Sequence, residues 1–80
     1  MLDAVIVGNV LREIRERKGL SQEVVSGLAG IGRTHLSAIE RGARRPTLET
    51  LYQLAYALNM PASEIMKEIE TEIARQEKSE

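Results

Sequence analysis

Cysteine is absent from this 80-residue sequence, histidine occurs once, and aromatic residues make up only 2%. Without cysteine the chain can form neither a disulfide nor a thiolate metal site. The single histidine, His35, has no partner with which to hold a metal ion or activate a nucleophile, and no glycine-rich phosphate loop is present. We therefore expect no metal, no cofactor and no enzymatic activity. So few aromatic residues also argue against a platform for stacking RNA bases.

Long apolar runs are missing as well, and so is a basic segment at the N-terminus. No stretch approaches the roughly 18 apolar residues of a membrane span. The opening residues, Met1-Leu2-Asp3-Ala4, do not resemble a signal peptide. We therefore expect a cytoplasmic protein without a membrane partner. The 42% hydrophobic and 29% charged residues favour one globular domain over residues 1–80, with no room for a domain that senses a small-molecule ligand.

Charge is distributed unevenly, although the formal net charge is only −1. Residues 11–45 carry eight basic and four acidic side chains, a net of +4. Residues 61–80 carry three basic and six acidic side chains, a net of −3. We expect these two parts of the chain to face different partners.

Apolar residues recur at helical spacing in five segments, and none alternates with the period of a strand, so the sequence predicts an all-α fold of five helices. The first helix is expected over about 4–18 and the second after the capping residue Ser21. The third should cover about 33–41 after a turn at Gly30, and the fifth about 61–75. Thr47 should cap the fourth helix. Its predicted apolar face consists of Leu48, Leu51, Tyr52, Leu54, Ala55 and Leu58.

A motif links the second, third and fourth helices. It comprises Gly19-Leu20-Ser21-Gln22-Glu23, then Ala29-Gly30-Ile31, then Arg33-Thr34-His35-Leu36-Ser37-Ala38-Ile39-Glu40-Arg41-Gly42, and finally Pro46-Thr47-Leu48-Glu49-Thr50-Leu51. Over about residues 4–60 the sequence resembles the lambda-repressor-like Cro/CI (XRE-type) helix-turn-helix family, and most closely the restriction-modification controller proteins. Two short helices around a glycine turn can also lay the second helix across a DNA major groove about 12 Å wide. The resemblance implies a sequence-specific DNA-binding regulator with its helix-turn-helix over about 21–41.

The resemblance also implies which residues contact double-stranded DNA. The first residues of the recognition helix, Arg33 and Thr34, should reach base edges, with Ser37 and Ala38 one turn further along. Arg33 is the first candidate because a guanidinium can bond a guanine bidentately, whereas Ala38 offers only a methyl group for a thymine. The expected phosphate contacts are Ser21, Gln22, His35, Arg41, Arg44 and Arg45. The alternative for such residues is a solvated surface or loop.

Two further predictions concern contacts within and between protein chains. Arg15 and Glu40 align with a pair that forms a partly buried salt bridge in this family, which makes Glu40 structural. The narrow apolar seam on helix five predicts a two-fold dimer that spaces two recognition helices roughly 34 Å apart on a pseudo-palindromic operator. The residues of this seam are Ile65, Met66, Ile69 and Ile73. The alternative is that Ile65 and Ile69 simply close the monomer core, and the two uses can coexist.

One other class of function remains open at this point. The helical domain could serve as a scaffold for protein interaction, as in an antitoxin or adaptor, with the acidic fifth helix binding the partner. A symmetric binding site selected from random duplexes would favour DNA recognition, and the lack of one would favour the interaction module.

Overall fold

Five α-helices and the turns between them account for residues 1–79, which are the residues that this computed structural model describes. The helices are α1 (Ala4–Arg17), α2 (Gln22–Ala29), α3 (Arg33–Glu40), α4 (Leu48–Ala57) and α5 (Ala62–Lys78). Because no strand occurs over this range, the all-α prediction is confirmed. Over the same residues, no helix has both the length and the apolar character needed to cross a membrane.

Side chains at the helix starts satisfy the backbone groups that a first turn leaves free. The carboxylate of Asp3 accepts hydrogen bonds from the amides of Val5 and Ile6, at 2.7 and 3.3 Å. The hydroxyl of Ser21 accepts one from the amide of Val24 at 3.1 Å. The Thr47 hydroxyl caps α4 in the same way. The two predicted caps are present, and Asp3 is an additional one.

All five helices contribute to one apolar core. Its largest fully buried side chains are Leu11, Ile14, Val25, Leu36, Ile39, Leu54, Leu58, Ile65 and Ile69. Helix α2 packs mainly on α4, and α1 packs on α3 and α5. The core therefore fixes the two helices of the helix-turn-helix against α4 and α1.

Glycine allows α1 and α3 to approach each other closely. A Cβ atom on Gly8 would lie 2.2 Å from the carbonyl oxygen of Ile39 and 2.8 Å from that of Glu40, too close for any larger residue. Gly42, just after α3, has a φ of +77°, and a Cβ there would lie 2.8 Å from the Cα of Val5. The end of α3 is thus in direct contact with α1.

The predicted apolar face of α4 is only partly correct. Leu51, Leu54, Ala55 and Leu58 are turned toward the core, but Leu48 is 83% exposed and Tyr52 is 69% exposed. Buried positions follow the spacing of three and four that faces α2 and α5, and Leu48 and Tyr52 lie on the opposite side of the helix. These two side chains, together with Tyr56 one turn later, form an outward stripe.

The predicted dimer seam on α5 needs correction at Ile65 and Ile69. Ile65 and Ile69 have 0 and 1% of their surface exposed, so they belong to the monomer core and cannot contact a second chain. Met66 and Ile73 are half-buried and pack against the same core. A core this small requires one face of α5 to close it, and the seam supplies that face.

Helix α5 runs three residues beyond its predicted end near residue 75. Its last turns contain an ion pair between Arg75 and Glu72. The side-chain Nε2 of Gln76 also donates a hydrogen bond to Glu72 at 3.0 Å. The hydrogen bond from Arg75 lowers the pKa of the Glu72 carboxyl below its ordinary value. These contacts extend a helix whose final residues have no apolar partner.

Candidate nucleic-acid interface

A turn with left-handed geometry joins α2 to α3. Gly30 has a φ of +72°, which a glycine adopts without strain, and its amide donates to the carbonyl of Gly27 at 3.2 Å. The amide of Ile31 donates to the carbonyl of Ser26 at 3.0 Å. Ser26 itself is buried, as expected for a small residue where the two helices meet. The turn predicted at Gly30 is present.

The first turn of α3, the recognition helix, presents its side chains to solvent. Arg33 and Thr34 are exposed, and Ser37 and His35 are half-buried beside them. Gly32 precedes the helix without any side-chain cap, so the first amides are not covered by a neighbouring side chain. Arg33 and Thr34 are therefore the most accessible of the predicted base-contacting residues.

Ala38 does not share this exposure, and its contact with a base stays a prediction with less accessible surface to support it. Only 9% of its surface is exposed. Its methyl lies on the same side of the helix as the longer Thr34 and Arg41 side chains. The chain after α3 also folds back, since the amides of Ala43 and Arg44 donate to the Ala38 carbonyl at 2.9 and 3.3 Å. A short side chain among longer neighbours and under this turn has little surface left for a base.

The carboxylate of Glu40 connects three helices. Arg15 donates to it twice, from Nε at 2.7 Å and from Nη2 at 2.9 Å, and the amide nitrogen of Gln22 donates at 2.9 Å. The remaining Nη1 of Arg15 donates to the carbonyl of Leu20 at 2.8 Å. The side chain of Glu40 is 3% exposed and that of Arg15 12%. The predicted salt bridge is present, and it also includes Gln22.

The hydrogen bonds to Glu40 affect both Arg15 and Gln22. The hydrogen bond with Glu40 raises the pKa of the Arg15 guanidinium above its ordinary value, so the cation is held in its charged form. Gln22 was predicted to contact phosphate, and one of its two amide hydrogens is already directed at Glu40. Its other hydrogen, and the exposed hydroxyl of Ser21 next to it, are the polar groups that remain at the start of α2.

The exposed arginines on and just after α3 take no part in the ion pairs of residues 1–79, and neither does Arg12 on α1. Within residues 1–79, ion pairs involve Arg15, Arg17 and Arg75, which are bonded to Glu40, Glu68 and Glu72. The exposed arginines of the recognition surface belong to none of these pairs, namely Arg33, Arg41, Arg44 and Arg45. Guanidinium groups without a protein carboxylate are available to phosphates and base edges.

The chain is similar to several known regulators. The helix-turn-helix family profile matches residues 11–65. An uncharacterized HTH-type transcriptional regulator of Sinorhizobium fredii, y4dJ, is 43% identical over 61 residues, which are 76% of this chain and 79% of that protein. The transcriptional regulator ClgR of Mycobacterium tuberculosis is 37% identical over 73 residues. Those residues are 91% of this chain but only 65% of ClgR, so this chain spans about two thirds of that regulator.

Solved structures show the same fold. The restriction-modification controller protein C.AhdI from Aeromonas hydrophila is 40% identical and superposes with a TM-score of 0.76, covering 81% of this chain and 98% of that one. The wild-type controller protein C.Esp1396I is 27% identical, with a TM-score of 0.84 and coverage of 92% and 97%. From the family match, these relatives and the helix-turn-helix geometry, the chain belongs to the helix-turn-helix family of Cro/CI-like (XRE-type) transcriptional regulators.

Proposed function

We propose that this chain is a sequence-specific transcriptional regulator that binds a pseudo-palindromic operator in double-stranded DNA as a homodimer. The observation that carries the proposal is the set of exposed arginines on and just after α3, none of which is paired with a carboxylate in residues 1–79. Arginines without a carboxylate partner can bind the phosphates of DNA and donate hydrogen bonds to its base edges.

Different residues have different roles in this interface. Arg33 and Thr34 contact base edges, and Ser37 follows one turn later at the margin of the groove. The phosphate contacts of the proposal are Ser21, Gln22, His35, Arg41, Arg44 and Arg45. Arg33 carries most of the discrimination, because a bidentate contact with guanine is worth roughly 1–3 kcal/mol against a wrong base.

A recognition helix of eight residues spans only about 12 Å, so one copy reads a short half-site. Two copies related by a two-fold axis would read two half-sites roughly 34 Å apart and combine their affinities. C.AhdI and C.Esp1396I are restriction-modification controller proteins. This chain matches nearly the whole length of both controller proteins but only about two thirds of ClgR. We therefore extend to this chain the role of a controller protein in preference to that of ClgR.

The proposal includes a cytoplasmic, non-enzymatic protein without a small-molecule effector. The described residues form the helix-turn-helix and the three helices that support it. The charged side chains of Arg15 and Glu40 connect these helices and so have a structural role. Regulation would then follow the concentration of the protein through dimerisation and DNA occupancy.

Selection of binding sites from random duplexes tests this function. The wild-type chain should enrich a symmetric site, Arg33→Ala should lose the preference at one position of each half-site, and Arg12→Ala should keep it. Arg12 is a suitable control because it is an exposed arginine on α1, next to α5 and away from the recognition helix. If the wild-type chain enriches no sequence even at low salt, DNA recognition is refuted and a protein-interaction module takes its place.

A further inference from the structure

The longest stretch of the sequence without a charged residue is 50–63, in a chain of which 29% is charged. It covers most of α4 and the turn into α5. A second uncharged stretch, residues 24–32, includes the end of α2, which packs on α4. Two neighbouring segments of the chain are thus free of charged residues.

That surface carries large side chains that the fold leaves in solvent. Tyr52 and Tyr56 are 69% and 75% exposed, Leu48 is 83% exposed and Leu28, on α2, is 55% exposed. Leu48, Tyr52 and Tyr56 follow each other at intervals of four along one side of α4. Leu28 and Tyr56 line a common groove with Met60. We refer to these five residues as the tyrosine face.

Of the tyrosine face only Met60 packs against the core, and the other four side chains are exposed. Leu54 and Leu58, on the other side of α4, are 1 and 2% exposed. Both tyrosines of the chain therefore contribute little to the packing of a single copy. Exposed apolar surface of this kind marks an interaction site more often than an accident of folding.

We propose that the tyrosine face is the surface on which a second copy of this chain docks, an inference that rests on the proposed homodimer and assigns its interface. Tyrosine and methionine are enriched, and charged residues depleted, in the centre of protein interfaces. At their observed exposure the two tyrosines offer on the order of 300 Å². That is more than a third of the roughly 800 Å² per partner in a stable complex.

The alternative site for a second copy is the outer side of α5, and its charges disfavour it. With Ile65 and Ile69 in the core, the groove that remains there is lined by five apolar residues and two carboxylates. The apolar residues are Met1, Leu2, Met66, Ile73 and Ala74. Those carboxylates are Glu70 and Glu77. A two-fold contact brings the same patch of both copies together, so these carboxylates would face their own counterparts. The tyrosine face has one carboxylate beside it, that of Glu49 in the first turn of α4, whereas two line the α5 groove.

The tyrosine face is also close to the DNA-reading unit along the chain. Leu28 lies two residues before Gly30, the residue on which the turn into α3 depends. Leu48 begins α4 directly after the basic loop that contains Arg44 and Arg45. A contact through these positions joins the two helix-turn-helix units through short, rigid connections and fixes the spacing of their recognition helices.

Sedimentation equilibrium of matched glutamate variants tests the assignment. In Tyr56→Glu, the new carboxylates of the two copies would face each other across the two-fold axis. This variant should raise the dimer dissociation constant by about 30-fold or more, the effect expected for an interfacial hot spot. Tyr56→Phe should leave the constant nearly unchanged. Ala74→Glu, an exposed position in the α5 groove, should do the same. Circular dichroism confirms that each variant is folded.

A second measurement uses the unmodified chain. Because the sequence has no tryptophan, its intrinsic fluorescence comes from Tyr52 and Tyr56 alone. Acrylamide should quench this emission less as the protein concentration rises through the dimer dissociation constant. Equal quenching at all concentrations, in a chain that sedimentation shows to dimerise, overturns the assignment even if the Tyr56→Glu variant fails to fold.

The outcomes separate the interface from the function. A wild-type dimer that enriches a symmetric site but survives Tyr56→Glu refutes the tyrosine face and leaves the proposed regulator intact. Dissociation by Ala74→Glu, alone or together with Tyr56→Glu, places the contact on α5 and also refutes it. A wild-type chain that stays monomeric on its selected DNA site refutes the homodimer along with its interface. Loss of the dimer in Tyr56→Glu alone, with binding to an isolated half-site retained, supports the proposal.

Discussion

Glu40 lies on the recognition helix, but its carboxylate is turned into the protein, where Arg15 and Gln22 donate three hydrogen bonds to it. Replacing it with alanine leaves the Arg15 guanidinium, 12% exposed, without its partner. We expect Glu40→Ala to lower the free energy of unfolding by about 3 kcal/mol, measured by urea denaturation. The double variant Arg15→Met with Glu40→Leu should recover much of the loss. A cost below about 1 kcal/mol for Glu40→Ala would show that the pair is not structural.

For single residues, the sequence predicts exposure correctly where the helical period alone decides it. Arg33 and Thr34 are in solvent as predicted, and Arg15 and Glu40 meet as the family alignment implies. Ala38 is the exception. Its exposure depends on the lengths of its neighbours and on a loop that folds back over α3, and neither enters a helical projection.

Among the elements, α1 and α3 have the closest contact, and it depends on the absence of a side chain at Gly8. We expect Gly8→Ala to destabilise the chain by about 1–3 kcal/mol, because the added methyl would collide with two backbone carbonyls that cannot move independently. Gly27→Ala is the matched control within α2. A Cβ there meets nothing within 4 Å, so the substitution should stabilise by roughly 0.5–1 kcal/mol. Thermal unfolding of both variants tests the pair, and equal effects would refute the contact.

The basic loop after α3 gives a prediction about DNA binding rather than stability. Arg44 and Arg45 are exposed and, within residues 1–79, belong to no ion pair. If each contacts one phosphate, Arg44→Ala or Arg45→Ala should weaken binding to all duplexes and reduce the slope of log K against log salt by about one unit. Fluorescence anisotropy at several salt concentrations measures this slope. Arg12→Ala should leave it unchanged, and a wild-type slope in both loop variants would remove them from the interface.

Helix boundaries were predictable where a cap or a glycine marks them, as at Ser21, Gly30 and Thr47. The end of α5 was not, since it depends on contacts of Glu72 with Arg75 and Gln76 rather than on a residue that stops a helix. The close contact at Gly8 has a signal in the sequence. An isolated glycine inside a helical pattern often marks a close packing contact.

For the whole molecule, the distribution of charge is more informative than its sum. Arg17 and Arg75 are used in ion pairs with Glu68 and Glu72, whereas the exposed arginines on and just after α3 belong to none. This asymmetry is how a chain with a net charge of −1 can present a cationic surface. The sequence predicted the two charged regions. It did not predict the tyrosine face, because an apolar periodicity does not reveal which side of a helix the core will cover.

The contacts of α3 with α1 also bear on the timescale of motion. A helix of two turns would ordinarily open by local fraying and exchange its amide hydrogens quickly. Here its end is held by the Gly8 contact and by the Arg15–Glu40 pair. We expect the amides of Ile39 and Glu40 to exchange with deuterium only when the whole domain unfolds, which hydrogen exchange by NMR would measure. The recognition helix would then meet DNA already ordered, without an entropic cost of folding on contact.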